Sequence, residues 1–112
     1  MWLTTTHGFY SVVQHRDDHG KLIVRARSRE DIEALGSWIP GLEPYSDPRA
    51  DYRRRAVVSR AEWVAAVALM VVEIDYPNFK SAVAERQGSR RASLYGEVWG
   101  TLLALQGEDE GS

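Results

Sequence analysis

The chain contains no cysteine. Disulfides, thiolate nucleophiles, zinc ribbons and iron–sulfur clusters are thereby excluded as sources of stability or chemistry. Lysine is nearly as scarce: among 14 basic residues only Lys21 and Lys80 are not arginine. No long hydrophobic run exists. The longest, Trp63 to Val72, falls well short of the ~20 apolar residues a bilayer-spanning helix needs. The stretch Met1 to His7 has neither the basic nor the apolar region of a signal peptide, so a soluble, cytoplasmic protein without membrane association is expected. Gly-x-Ser-x-Gly, His-Glu-x-x-His and the phosphate-binding P-loop pattern are all missing, and the expectation is a protein that is not an enzyme and needs no cofactor. The net charge of −2 argues against bulk affinity for nucleic acid. That charge is uneven, because Glu108, Asp109 and Glu110 supply three of the 16 acids and the remainder of the chain is slightly positive.

What is present suits one α+β domain. At 112 residues and 44% hydrophobic content, the chain can bury roughly two-thirds of its unfolded surface without covalent staples. The expected organisation is a single domain over 1–106 with a disordered acidic tail over 107–112. Residues 9–15 (Phe-Tyr-Ser-Val-Val-Gln-His) are aromatic and β-branched and read as a strand. Residues 2–6 read as its first half, with His7-Gly8 as a bulge or bend. Residues 21–27 alternate, with Leu22, Val24 and Ala26 on one side and Ile23, Arg25 and Arg27 on the other. Arg16-Asp17-Asp18-His19-Gly20 between them is a hairpin turn. Tyr52 to Val58 is expected as the third strand.

Helices announce themselves by their caps. Ser28 precedes a short helix with Asp31 at its third position. Ser59-Arg60-Ala61-Glu62 is a full capping box. It opens a helix whose Trp63, Val64, Val67, Met70, Val71 and Ile74 recur as one apolar stripe facing a core. Pro77 cannot lie inside a helix but suits a first turn. The spacing predicts that Asp75 caps and a new helix starts at Tyr76 or Pro77, burying Phe79 and Val83. A last helix, Arg90 to Gln106, should bury Leu94, Val98, Leu102 and Leu105. The expected order is β-β-α-β-α-α-α, an antiparallel sheet of about three strands with its helices on one face.

Several constellations could carry chemistry. His15, Asp17, Asp18 and His19 are metal-ligand types, but they crowd one exposed turn with no distant fourth ligand. No metal is expected. Alternation sets Arg25 and Arg27 on one face of the second strand, and Arg53 and Arg55 on one face of the third. Both pairs then lie on the open side of the sheet, joined by Tyr10 or Phe9 according to register. Arginines beside an aromatic on an exposed sheet can hold phosphate and stack bases. The plain alternative is a solvated arginine face paired with Glu and Asp. Tyr76, Asn78 and Lys80 form a further candidate patch at the corner over 75–80, which also reads simply as a helix–helix corner.

The segments GFYSVVQ, LIVRARSREDIEAL, ADYRRRAVVS, EIDYPNFKSAVAERQG and LYGEVWGTLLALQ together resemble a family of small bacterial proteins of actinobacterial type. The resemblance implies no activity, cofactor or catalytic residue. The expected function is a small binding or regulatory protein that takes a protein or an anionic ligand on Arg25, Arg27, Arg53, Arg55 and Tyr10, with Tyr76, Asn78 and Lys80 adjoining. The alternatives are a single-stranded nucleic-acid binder and a mobile-element or phage-type inhibitor of a host defence complex.

Overall fold

In the computed structural model, which describes residues 1–111, antiparallel pairing begins almost at once. Strand β1 (Trp2–Thr4) pairs with β2 (Phe9–Gln14), with Leu3 opposite Tyr10. The residues expected to bend one strand instead close a hairpin. Thr5 N–H donates to Gly8 O at 2.9 Å, while Thr5 Oγ1 accepts from His7 N and Gly8 N at 3.0 and 3.1 Å. A threonine hydroxyl that gathers nearby backbone N–H groups makes a turn out of a β-branched run. Strand β3 (Lys21–Ala26) follows the Asp18-centred turn and pairs with β2.

Helix α1 (Arg29–Ala34) is capped by Ser28, whose Oγ accepts from Asp31 N, and a 3-10 turn (Leu35–Ser37) ends it. The Asp31 carboxylate does not reach back to its own helix end. Its Oδ2 accepts from Phe9 N at 3.0 Å, and the Asp31 carbonyl accepts from the buried Tyr10 hydroxyl at 2.8 Å. One residue thus ties α1 to the start of β2. The proline-bearing connection holds a two-residue strand, β4 (Tyr45–Ser46), before β5 (Arg54–Ser59).

The sheet is an antiparallel α+β sheet, but it has five strands in the order β1-β2-β3-β5-β4 rather than about three. The element order departs from β-β-α-β-α-α-α because β1 and β4 are separate strands and the expected last helix is divided into two, Ser89–Leu102 and Ala104–Gly111. Both strands are too short to show an alternating pattern of their own. β5 starts at Arg54, two residues later than expected.

Helix α2 (Arg60–Val72) carries the expected capping box: Glu62 N donates to Ser59 Oγ and Ser59 N to Glu62 Oε1. The second of these bonds holds the Glu62 carboxyl below the ordinary carboxylate range. The buried stripe is narrower than the sequence suggests. Trp63, Ala66 and Met70 are buried and Val67 packs against them, whereas Val64, Val71 and Ile74 are exposed. Small Ala66, fully buried, brings the helix close to β3 and β5, so the bulky residues flanking it point away. Tyr10, Val12, Val24, Ala26, Ala56 and Val58 from one sheet face meet Ile32, Leu35, Ile39, Trp63, Ala66 and Met70 in one core.

The chain falls into two compact units: Met1–Asp75, and a second beginning at Tyr76. The residues expected as one domain, 1–106, are therefore described as two. In the second unit α3 (Phe79–Gln87) packs on α4 (Ser89–Leu102), and α5 (Ala104–Gly111) continues from it. Residues 107–111, expected as a disordered tail, lie in α5. Asp75 is not the cap. Asn78 is, its Oδ1 accepting from Ser81 N at 2.8 Å, and Pro77 sits just before it. Proline holds the preceding residue, Tyr76, out of the helical region, which rules out a helix capped by Asp75, and the Asn78 cap starts it at Phe79. Phe79 is half-buried between Tyr76 (6.2 Å) and Tyr95 (6.0 Å, 13° between planes), and Val83 is fully buried. Leu94, Val98, Leu102 and Leu105, expected in a core, are exposed. Asn78→Ala is expected to cost about 1 kcal/mol, the usual value of a lost cap, while Asp75→Ala costs almost nothing. Urea melts followed by circular dichroism measure both, and equal losses would contradict the assignment of the cap. Among the described residues no helix is long and apolar enough to cross a membrane.

Candidate functional site

The face of the sheet opposite the core is built from the other half of each alternating strand. Trp2 lies opposite Ser11, Ser11 opposite Arg25, Arg25 opposite Arg55, and Arg55 opposite Tyr45. These five residues form one row across all five strands, aromatic at both ends and cationic in the middle. Beside it runs an apolar row, Val13, Ile23 and Val57. Trp2 is 71% and Tyr45 44% exposed.

Tyr52 organises the cations. It sits in the turn before β5 and folds onto this face, where it is only 5% exposed. The guanidinium of Arg25 lies 4.8 Å from its ring centroid and that of Arg27 lies 4.3 Å away. Its ring also stacks on Phe9 at 6.5 Å, and Phe9 meets Trp2 edge-on at 5.7 Å. A delocalised, weakly hydrated guanidinium pairs well with an aromatic face, each contact contributing ~0.5–1 kcal/mol at such sites. Hydrogen bonds hold the arginines further. Arg25 Nη2 donates to Ser11 Oγ at 2.6 Å, Arg27 Nη1 to Asp51 O at 3.1 Å, and Arg55 Nε to Tyr52 O at 3.0 Å. All the acceptors are neutral. Among the described residues no carboxylate lies within ion-pair distance of Arg25, Arg27 or Arg55. Three positive charges therefore converge around one aromatic ring without a direct ion pair; the neighbouring Asp51 carboxylate is engaged by Tyr52 N at 2.9 Å.

Of the residues singled out from sequence, Arg25, Arg27 and Arg55 come together here. Arg53 precedes β5, is exposed, and lies outside the row. Tyr10 is corrected outright: it is fully buried, its hydroxyl bound to Asp31 O, and it faces the core. Phe9 is the aromatic on the open face. Tyr76, Asn78 and Lys80 belong to the second unit. There Asn78 is occupied as a cap and Tyr76 is half-buried. Lys80 is exposed beside a shallow groove lined by Ser81, Ser89, Arg90 and Ser93. Sequence reasoning missed Ser11, Trp2 and Tyr45 as members of the row. Only the Thr5–Gly8 turn and β4 set their register.

His7 is the buried histidine. Its ring meets Trp38 edge-on at 4.3 Å and its Nε2 lies 3.3 Å from Glu73 Oε2, joining the first hairpin turn to the end of α2. His15 Nδ1 accepts from Asp17 N and Asp18 N at 3.1 and 3.2 Å, so that imidazole shapes its own turn. No group of three or more His, Asp or Glu suited to a metal ion occurs among the described residues. No family model, curated protein or solved structure matches the chain.

Proposed function

We propose that the protein is a non-enzymatic binding module whose open sheet face takes an anionic partner, an acidic protein segment or a small anion, on Arg25, Arg27 and Arg55. The observation that carries this reading is the convergence of the three guanidinium groups around Tyr52, none of them in an ion pair with a carboxylate. Binding rather than catalysis follows from the side chains of the row. A guanidinium stays charged and donates up to five hydrogen bonds but accepts no proton. Such a face holds and orients an anion. The neutral hydrogen bonds to Ser11, Asp51 and Tyr52 fix the stems while leaving donors over.

A second reading, single-stranded nucleic acid, is favoured by the exposed rings of Trp2 and Tyr45 at the ends of the row. Aromatic platforms combined with arginine suit unpaired bases and phosphate. The acidic net charge and the scarcity of lysine place it second.

The test is fluorescence anisotropy at ~50 mM salt, where charge contacts are strongest, with labelled polyglutamate and a labelled oligothymidylate. Polyglutamate should bind the parent. Arg27→Gln combined with Arg55→Gln should weaken it about 10-fold or more, as loss of two charge-assisted bonds implies. Equal binding by the variant, or no binding of either ligand by the parent, removes the proposal. Tighter binding of the oligonucleotide, lost in Trp2→Ala, selects the second reading.

A further inference from the structure

We propose that α4 and α5 form a self-association surface through which two copies of the chain pair antiparallel about a two-fold axis at the level of residue 100. The chain stays helical from Ser89 to Gly111. Leu103 keeps right-handed helical angles (φ −58, ψ −25), its N–H bonds to Trp99 O, and Gly107 N bonds to Leu103 O. Along this helix Arg91, Leu94, Val98, Leu102, Leu105 and Asp109 follow one another at spacings of three and four, which places all six on one face. The face turned to α3 carries the buried Ala92 instead. Leu94, Val98, Leu102 and Leu105 are each about half exposed, from 46% to 62%. Four large apolar side chains in one exposed row are the mark of an interaction surface rather than scattered apolar exposure.

The order of residues along the row identifies the occupant. It reads basic, four apolar, acidic. Reversed and laid against itself, it matches: Arg91 falls opposite Asp109, Leu94 opposite Leu105, and Val98 opposite Leu102. Arg90 and Glu108, on a common flank of the row, come opposite each other too. A two-fold interface requires this self-complementarity, in which residue i meets j and j meets i. Parallel pairing would set arginine against arginine and acid against acid, so the antiparallel sense is specified.

The charges also point to a partner on their own account. The first turn of α4 holds Arg90 and Arg91 and no acid, while Glu108, Asp109 and Glu110 end α5 with no base in its last turn. A helix macrodipole favours the reverse, with acids at the N-terminus and bases at the C-terminus. Both ends therefore carry the sign of charge that the dipole disfavours, although Arg91 also donates to the Tyr95 hydroxyl at 3.1 Å. An antiparallel copy brings the opposite charge to each end and offsets that.

Light scattering coupled to size exclusion on the whole chain tests the pairing. At ~100 µM and low salt the mass should be twice the monomer's 12.6 kDa. Leu102→Glu should return it to the monomer with helical circular dichroism retained. Arg90→Glu alone and Glu108→Arg alone should each weaken association about 10-fold or more, and the two together should restore it. A monomeric parent at that concentration overturns the proposal. So does a dimer that survives Leu102→Glu, or a charge swap whose double variant is no better than the singles.

Discussion

Gly8→Ala should be among the most damaging single-methyl additions to this chain, lowering stability by about 3 kcal/mol, the upper end of what overpacking usually costs. A methyl group at Gly8 would lie 2.7 Å from Asp31 Cγ, 2.9 Å from Asp31 Cβ and 2.8 Å from the Tyr10 hydroxyl oxygen. None of these is the loose end of a flexible side chain. The Asp31 carboxylate is held by Phe9 N, and the Tyr10 hydroxyl is buried on Asp31 O. Making room breaks one of these bonds and strands a buried polar group, which adds ~1–3 kcal/mol of its own. The constraint is space rather than dihedral angle, since Gly8 has no positive φ. Urea melts followed by tryptophan fluorescence give the number. Tyr10→Phe removes one of the three clashing atoms, so its cost and that of Gly8→Ala should combine to less than their sum. A Gly8→Ala variant that unfolds with the parent would show that the junction of hairpin and α1 is not close-packed.

Tyr52→Ala should be comparably severe. Removing a buried aromatic ring costs about 3–5 kcal/mol where the surroundings cannot collapse. Here collapse is opposed by the very groups that line the hole, because two like charges, Arg25 and Arg27, would have to close into the space that the ring leaves. Tyr52→Phe should be almost silent in stability, since the ring and not the hydroxyl makes the stacking contacts with Phe9 and the guanidinium groups. Thermal melts of the two variants separate these effects. A stable Tyr52→Ala protein would mean that the arginines are ordered by their hydrogen bonds alone. Nearly equal losses in Tyr52→Ala and Tyr52→Phe would mean that the phenol matters more than the stack.

These residues also show where sequence was readable. Arg25 is legible on the open face, with Arg27 one residue beyond β3 on the same side, because β3 alternates cleanly and a period of two decides which side each residue faces. Tyr10 was misplaced because a one-residue choice of register reverses every side chain in a strand. Phe9 and Tyr10 are adjacent aromatics, and what settles the choice is the Tyr10–Asp31 bond across 21 residues. The Ser28 cap of α1 and the Ser59–Glu62 capping box of α2 are legible because their chemistry is local. Asn78 was hidden behind Asp75, an equally good cap three residues earlier, and only the conformational effect of Pro77 separates them. Leu94, Val98, Leu102 and Leu105 recur at helical spacing as the sequence suggests, but the burial expected of them is not found, because periodicity says that a face is apolar and not what lies against it. Tyr52, expected as the first residue of the third strand, lies instead in the turn before β5, and its place over the sheet depends on how that turn folds.

The two outermost strands have one more consequence. β1 has three residues and β4 two, with Pro44 and Pro48 close on either side of β4. Partners that join a sheet by adding a strand need a run of free backbone donors and acceptors along a margin, and short margins with flanking prolines deny them that template. Strand addition is therefore disfavoured, and the anionic partner proposed above would be read by side chains on the flat of the sheet. Recognition of that kind discriminates by charge and ring stacking, and is tolerant of the ligand's own backbone.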